Sequence, residues 1–249
     1  MLAKDFKHFM SNNSSDKPFR FKQFEIQQGQ SAMRVGTDAV LLAAWAEINM
    51  AAHILDVGTG TGVIALMCAQ KNATAFIEAI EIHEGSAEDA RHNFEHSPWK
   101  SRLKMHEGDF LKIVSREKFD LIISNPPYFS QSLRGNNPSR NTARHDDSLP
   151  ADAFLRQTKS LLTPDGTVIL ILPKNQLERW IEEAAKSGLN AKSICHVFTL
   201  AYKDATRVMI EFALSYQGEP TMESILIEKN PGEFSEAYKQ LTKEFYMKW

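Results

Sequence analysis

The chain has 249 residues, 43% of them hydrophobic and 24% charged, and its 29 lysines and arginines against 31 aspartates and glutamates leave a formal net charge of −2. This composition excludes collagen-like, low-complexity and disulfide-scaffold chains and argues against a protein that coats nucleic acid by bulk electrostatics. The two cysteines form no CxxC pair and no run approaches the ~18 apolar residues of a membrane span, so the chain is expected to be cytoplasmic and monomeric, with reduced thiols, no membrane contact and no metal.

Residues 1–22 are polar and read as a flexible or loosely docked arm, leaving residues 23–249 as a single domain. A short helix is predicted from Thr37 or Asp38, either of which could cap it, to Glu47. His53 to Val57 reads as a buried strand, followed by a glycine-rich turn and an apolar helix from Val63 to Gln70. Ala75 to Ile82 is a second strand, and Glu84 to Glu95 a helix with Glu84, Glu88, Asp89 and Arg91 on its wet side. Strands follow at Arg102 to His106 and Phe119 to Ser124, the latter ended by two prolines that cannot donate to a ladder. Then come a helix from Ala151 to Leu162, a strongly apolar strand from Thr167 to Leu172 and a helix from Gln176 to Ser187. Two long strands, Ala191 to Leu200 and Arg207 to Tyr216, and a helical tail from Glu233 to Lys248 complete the chain. The alternation predicts an α/β fold with a seven-stranded, mostly parallel sheet and an antiparallel hairpin at one edge. Ligands of such sheets sit beyond the carboxyl ends of the strands, so chemistry is expected just after each one.

After the first strand stands Asp56-Val57-Gly58-Thr59-Gly60-Thr61-Gly62. Alternate glycines let the backbone turn sharply and approach a ligand closely, although a tight turn without a ligand would look the same. A dinucleotide fingerprint would need a small residue where Val63 stands. Glu81 ends the second strand about 20 residues past the glycines, where a carboxylate can hold a ribose diol, and His83 follows it. Gly108-Asp109-Phe110 follows the third strand, with Asp109 alternatively a surface cap. This series resembles that of the class I S-adenosylmethionine-dependent methyltransferases, whose fold is Rossmann-like. The resemblance implies S-adenosyl-L-methionine as cofactor, its amino-acid end on Asp56 and the Gly58, Gly60 and Gly62 loop, its ribose on Glu81, and its adenine on Asp109 beside Phe110.

Asn125-Pro126-Pro127-Tyr128 ends the fourth strand and resembles the motif of methyltransferases that modify a planar nitrogen, either a base amine or a glutamine amide. The lone pair of such a nitrogen is delocalised, so acceptors serve better than a strong base. The Asn125 side-chain oxygen and the Pro126 carbonyl can each accept one N–H and aim the lone pair at a methyl group, with Pro127 fixing the turn, Tyr128 stacking on a flipped base and Asn125 also bordering the cofactor.

Upstream, Arg34-Val35-Gly36-Thr37-Asp38 before Leu41-Leu42, together with Asn93, Ser97-Pro98-Trp99, Asn125-Pro-Pro-Tyr128 and Arg140-Asn-Thr-Ala-Arg144-His145, resembles the tRNA1(Val) adenine-N6-methyltransferase family from about Phe21 to Tyr216. The resemblance implies that Arg34, Gly36, Thr37 and Asp38 close over the cofactor, that the substrate is tRNA and that the target is the N6 amine of adenosine 37. Ribosomal-RNA guanine-N2 and release-factor glutamine methyltransferases carry similar Asn-Pro-Pro-Tyr motifs and stand as the alternative. An oxidoreductase is disfavoured by Val63, and a catalytically silent RNA-binding module by the Asn-Pro-Pro-Tyr motif. RNA contact would then be local: Arg134, Arg140 and Arg144 lie in an acid-free stretch from Gln131 to His145, and residues 1–34 hold six basic residues against three acidic ones. His92 and His96 have half the spacing of a metal site but no evident third ligand. Lys203 and Arg207 stand at the head of the last strand with no role fixed by sequence.

Overall fold

A computed structural model describes residues 17–31, 33–127 and 149–248. Strands β1 (Phe19–Arg20) and β2 (Glu25–Ile26) form a small antiparallel ladder. The main sheet comprises β3 (His53–Val57), β4 (Phe76–Glu81), β5 (Leu103–Glu107), β6 (Phe119–Ser124), β7 (Leu162–Pro173), β8 (Asn190–Leu200), β9 (Arg207–Ala213), β10 (Thr221–Asn230) and β11 (Glu233–Phe234), in the order 11-10-8-9-7-6-3-4-5. Helices α1 (Thr37–Trp45), α2 (Val63–Lys71), α3 (Glu84–Glu95), α4 (Ala151–Leu161), α5 (Leu177–Lys186) and α6 (Glu236–Thr242) cover it.

The strands sort their side chains by parity, as a pleated strand buried on both faces must. Ile54, Ile77, Leu121, Ile123, Ile169 and Ile171 share one apolar layer with α1, α2, Phe94 of α3 and Tyr238 of α6. Leu55, Val57, Ile122, Val168, Leu170 and Leu172 share the other with α4 and α5. Strands β5, β4, β3, β6 and β7 run parallel, and β9 is antiparallel to both of its neighbours, β7 and β8.

The sheet departs from expectation at its far side. Among the described residues it has nine strands rather than seven, and the β8–β9 hairpin is not at the edge, because β10 pairs parallel to β8 and β11 lies beyond β10. Of the ten residues of β10 only Ile225 is buried, so neither alternation nor a continuous apolar run marks it. The tail helix shrinks to α6 because Glu233–Phe234 pairs with β10 and Ser235 then caps the helix, its hydroxyl accepting from the Tyr238 N–H at 3.0 Å. Strand β7 starts at Leu162, through an irregular pairing with Phe119, and not at Thr167. Neither Thr37 nor Asp38 caps α1; the N-cap is Gly36, with no side-chain bond.

Residues 1–16 of the expected arm lie outside the described residues. Of the remainder, Phe21 is buried, stacks on Phe24 and Tyr246 and bridges to Tyr246. Both cysteines are free and buried, and burial pushes each thiol up to about 12, which leaves them poor nucleophiles.

The half-buried Lys71 ammonium donates to the carbonyls of Ala43, Ala44 and Ala46 at 3.1, 2.7 and 2.6 Å, closing the C-terminus of α1 from the end of α2. Lys71→Met is expected to cost roughly 2–3 kcal/mol by leaving those carbonyls unpaired, measured as a shift in chemical denaturation.

Candidate active site

The strand order reverses at β3, which has β4 on one side and β6 on the other, so the crevice of the fold opens between the carboxyl ends of β3 and β6. Val57 and Ser124 are register partners there, and the fully buried Ser124 hydroxyl donates to the Val57 carbonyl at 2.7 Å. The glycine loop leaves from one strand and the Asn125-Pro126-Pro127 turn from the other, about 4.8 Å apart. Asn125 is half-buried, Pro126 buried and Pro127 exposed. Tyr128, Arg134, Arg140 and Arg144 lie outside the described residues.

The loop is anchored through its backbone. Gly58 and Thr59 donate to the Ile80 carbonyl at 2.9 and 3.1 Å, and Gly60 donates to Glu81 Oε2 at 2.9 Å. Glu81 Oε1 accepts from the N–H groups of Ile82 and His83 at 2.9 and 3.0 Å, so this buried carboxylate is held in place by three backbone donors. A Cβ added at Gly58 or Gly60 would meet nothing within 4 Å, so the loop has an open face.

Asp56 is 0% exposed beneath this loop. Its Oδ2 accepts from the Thr59 hydroxyl at 2.5 Å and the Ala65 N–H at 3.1 Å, tying loop to helix, whereas Oδ1 is buried with no partner among the described residues. Burial is the main cause that pushes its carboxyl up to about 7, against the pull of those two donors. The folded chain thus holds this proton to near neutrality where an unfolded aspartate releases it near pH 4, so this group's contribution to stability falls as pH rises from about 4 through 7. Asp56→Asn is expected to flatten that decline, seen as a variant that gains on the parent between pH 5 and pH 8 in denaturant midpoints.

Glu81 and Glu107 are register partners, which brings Gly108 and Asp109 beside the loop, and the Gly108 N–H donates to the Glu81 carbonyl at 2.8 Å. Asp109 Oδ1 caps the following turn by accepting from the Leu111 N–H at 2.9 Å, and Oδ2 stands 3.2 Å from the Lys112 ammonium. Phe110 is 5% exposed and packs 5.2 Å from the Phe154 ring.

The segment before α1 is strapped down by α3. Asp89 Oδ2 accepts from the Gln30 and Ser31 N–H groups at 3.0 and 2.7 Å and from the Ser31 hydroxyl at 2.7 Å. Asn93 accepts from the Gln27 N–H and donates to the carbonyls of Gln27 and Thr61, each at 2.8 Å, which joins the strap to the glycine loop. Asp89 and Asn93 are buried, at 6% and 3% exposure, so Asp89 is not on the wet side of α3. Helical spacing of i and i+4 puts both on one face, the signal available in the sequence. At the far end of the strap, Asp38 pairs with Arg207, Nε to Oδ2 2.9 Å, which gives Arg207 a place at the rim. Between these anchors Arg34, Gly36 and Thr37 are exposed. His92 and His96 stack ring on ring at 4.0 Å, and among the described residues no three metal-ligating side chains cluster.

Residues 30–187 match the Methyltransferase small domain family. The tRNA1(Val) (adenine(37)-N6)-methyltransferase of Vibrio parahaemolyticus is 42% identical over 96% of this chain and 99% of its own. That of Bacteroides thetaiotaomicron is 41% identical over 92% and 97%.

The chain belongs to the tRNA1(Val) (adenine(37)-N6)-methyltransferase family.

Among solved structures, a predicted O-methyltransferase from Agrobacterium tumefaciens aligns with TM-score 0.65 at 21% identity, covering 84% of this chain and 96% of that one. The α/β class I methyltransferase fold expected from sequence is thereby established. In this chain the strap on α3 and the Asp38–Arg207 pair are relations that the sequence motifs do not contain. No helix among the described residues is long and apolar enough to cross a membrane.

Proposed function

We propose that the chain is a cytoplasmic, monomeric single-domain enzyme that transfers a methyl group from S-adenosylmethionine to the N6 amine of adenosine 37 in tRNA1(Val). The observation that carries the reading is the Val57–Ser124 register, which opens a glycine loop and an Asn-Pro-Pro turn side by side into one crevice.

The residues present fit the cofactor. The open face over Gly58 and Gly60, with Gly62 closing the loop and Asp56 supporting it from beneath, suits the amino-acid end; Glu81, whose Oε2 accepts a single backbone N–H, keeps an acceptor site for a ribose hydroxyl, and Asp109 for an adenine amine. Arg34, Gly36, Thr37 and Asp38 would close over it from the strap. When bound, the cofactor supplies an electrophilic methyl on sulfonium. The chain's own work is at the acceptor: the Asn125 side-chain oxygen and the Pro126 carbonyl take the two N–H groups, Pro127 fixes the turn and Tyr128 stacks on the base. No general base is assigned, because methylation makes the nitrogen cationic and its proton then leaves to water.

On this reading Asn93→Ala is expected to raise the KM for S-adenosylmethionine by about tenfold, roughly 1.4 kcal/mol, with little change in kcat, because the strap would lose its link to the loop. Arg134, Arg140 and Arg144 are assigned to tRNA phosphates, and Arg140→Ala with Arg144→Ala should raise the KM for tRNA and weaken its salt dependence. Transfer of labelled methyl into total unmodified RNA, followed by nucleoside mass spectrometry, tests the assignment. N6-methyladenosine in tRNA supports it, whereas N2-methylguanosine or methylglutamine would select the ribosomal-RNA or release-factor alternative, which the names of the relatives disfavour.

A further inference from the structure

The strand order places a second surface beside the Asn-Pro-Pro turn. Next to β6 lies β7, then β9, then β8, so the carboxyl ends of β6 and β8 are three sheet steps, roughly 14 Å, apart on the same side of the sheet. Beyond β7 the chain turns through Lys174 into α5, and the Lys174 N–H donates to the Thr206 carbonyl of the β8–β9 turn at 3.1 Å. That turn is shaped by the Lys203 N–H on the Leu200 carbonyl at 3.0 Å and the Thr206 N–H on the Val197 carbonyl at 3.3 Å, and it presents Tyr202 at 72% exposure. On the other flank, Arg179 of α5 shares with Pro126, Pro127, Gln176 and Trp180 the wall of a water-sized recess of about 10 Å³. The recess is too small for a ligand, but it fixes Arg179 beside the catalytic turn.

Lys174, Arg179 and Lys203 are exposed, and none has an ion-pair partner among the described residues, in contrast to Arg207, whose charge is engaged by Asp38. The acids nearby are Glu178, Glu182 and Glu183 on α5 and Asp204 in the β8–β9 turn; Glu183 is engaged by Lys186 at 2.7 Å, and Glu178 and Glu182 do not share the recess wall with Arg179. Cations without internal partners beside an exposed aromatic ring are what an unpaired stretch of RNA requires: cations position the phosphates, and the ring stacks on a splayed base.

We propose that this rim, Lys174 and Arg179 on one flank and Tyr202 and Lys203 on the other, holds the single-stranded RNA around the target adenosine. The surface rests on the reading of the chain as a tRNA methyltransferase and adds to that reading residues other than Arg134, Arg140 and Arg144. It also explains how a chain with net charge −2 engages RNA: the positive groups sit at the crevice mouth rather than over the whole molecule.

The test uses the full chain and a tRNA1(Val) transcript, with binding read by fluorescence anisotropy over a salt series and methyl transfer read separately. Arg179→Glu with Lys203→Glu is expected to weaken tRNA binding by about tenfold or more and to lower the slope of log affinity against log salt by roughly 0.7 for each phosphate no longer neutralised. Tyr202→Ala should weaken binding with the slope unchanged, and Arg179→Lys with Lys203→Arg should bind as the parent does. Melting temperature and S-adenosylmethionine affinity report on folding and should not move. If the parent methylates tRNA but the charge-reversed variant binds it with the same affinity and salt slope, the rim is overturned and the functional reading stands. If the parent binds tRNA through the rim without methylating it, the functional reading fails and the surface stands.

Discussion

Asn125→Ala is expected to lower kcat by roughly 10²–10³-fold, about 3–4 kcal/mol of transition-state stabilisation, while the affinity for S-adenosylmethionine stays within about twofold. The adenine N6 lone pair is spread into the ring, and attack on a methyl group requires that it be localised. An acceptor aimed at one N–H favours the pyramidal geometry in which this happens, and it strengthens as the nitrogen gains positive charge. Asn125 follows the fully buried Ser124, whose hydroxyl ties β6 to β3, so its side chain starts from a rigid platform. Removing that oxygen leaves the glycine loop, Asp56 and Glu81, the proposed cofactor contacts, in place. Single-turnover rates at saturating tRNA, with cofactor binding by calorimetry, separate the two quantities. A variant with near-parental turnover would refute the role assigned to Asn125.

Gly62→Ala should destabilise the folded chain by about 3 kcal/mol or more and abolish cofactor binding at ordinary concentrations. Gly62 has φ +83°, and a Cβ there would lie 2.6 Å from Cε1 of the Phe94 ring. Phe94 is itself buried in the α1–α2 layer and cannot step aside cheaply. Two costs therefore add, the left-handed backbone and the collision, against a total stability of about 5–15 kcal/mol. Phe94→Leu in the Gly62→Ala background removes the collision but not the backbone strain, so partial recovery is expected. An unchanged melting temperature for Gly62→Ala would contradict the packing described.

The strand ends were the legible part of the chain because each must carry a residue type that ordinary packing does not ask for. Alternating glycines, a carboxylate ending β4, an aspartate after β5 and two prolines after β6 all stood where a parallel sheet puts its ligand. The runs of β3, β6 and β7 are apolar on both faces and read directly as buried strands. What stayed hidden was set by partners distant in sequence. Asp89 and Asn93 look like solvent-facing residues of a charged helix until the strap at Gln27–Ser31 covers them. The Asp38–Arg207 pair joins residues 169 positions apart, a relation no local pattern contains. Strand β10 was missed because it buries a single side chain.

The most direct test compares two transcripts of tRNA1(Val) that differ only at position 37, one with adenosine and one with guanosine, incubated with the enzyme and labelled S-adenosylmethionine. N6-methyladenosine mapped to position 37 is expected in the first and no methyl incorporation in the second. Equal incorporation into both, or a methyl group mapped elsewhere in the tRNA, would contradict it.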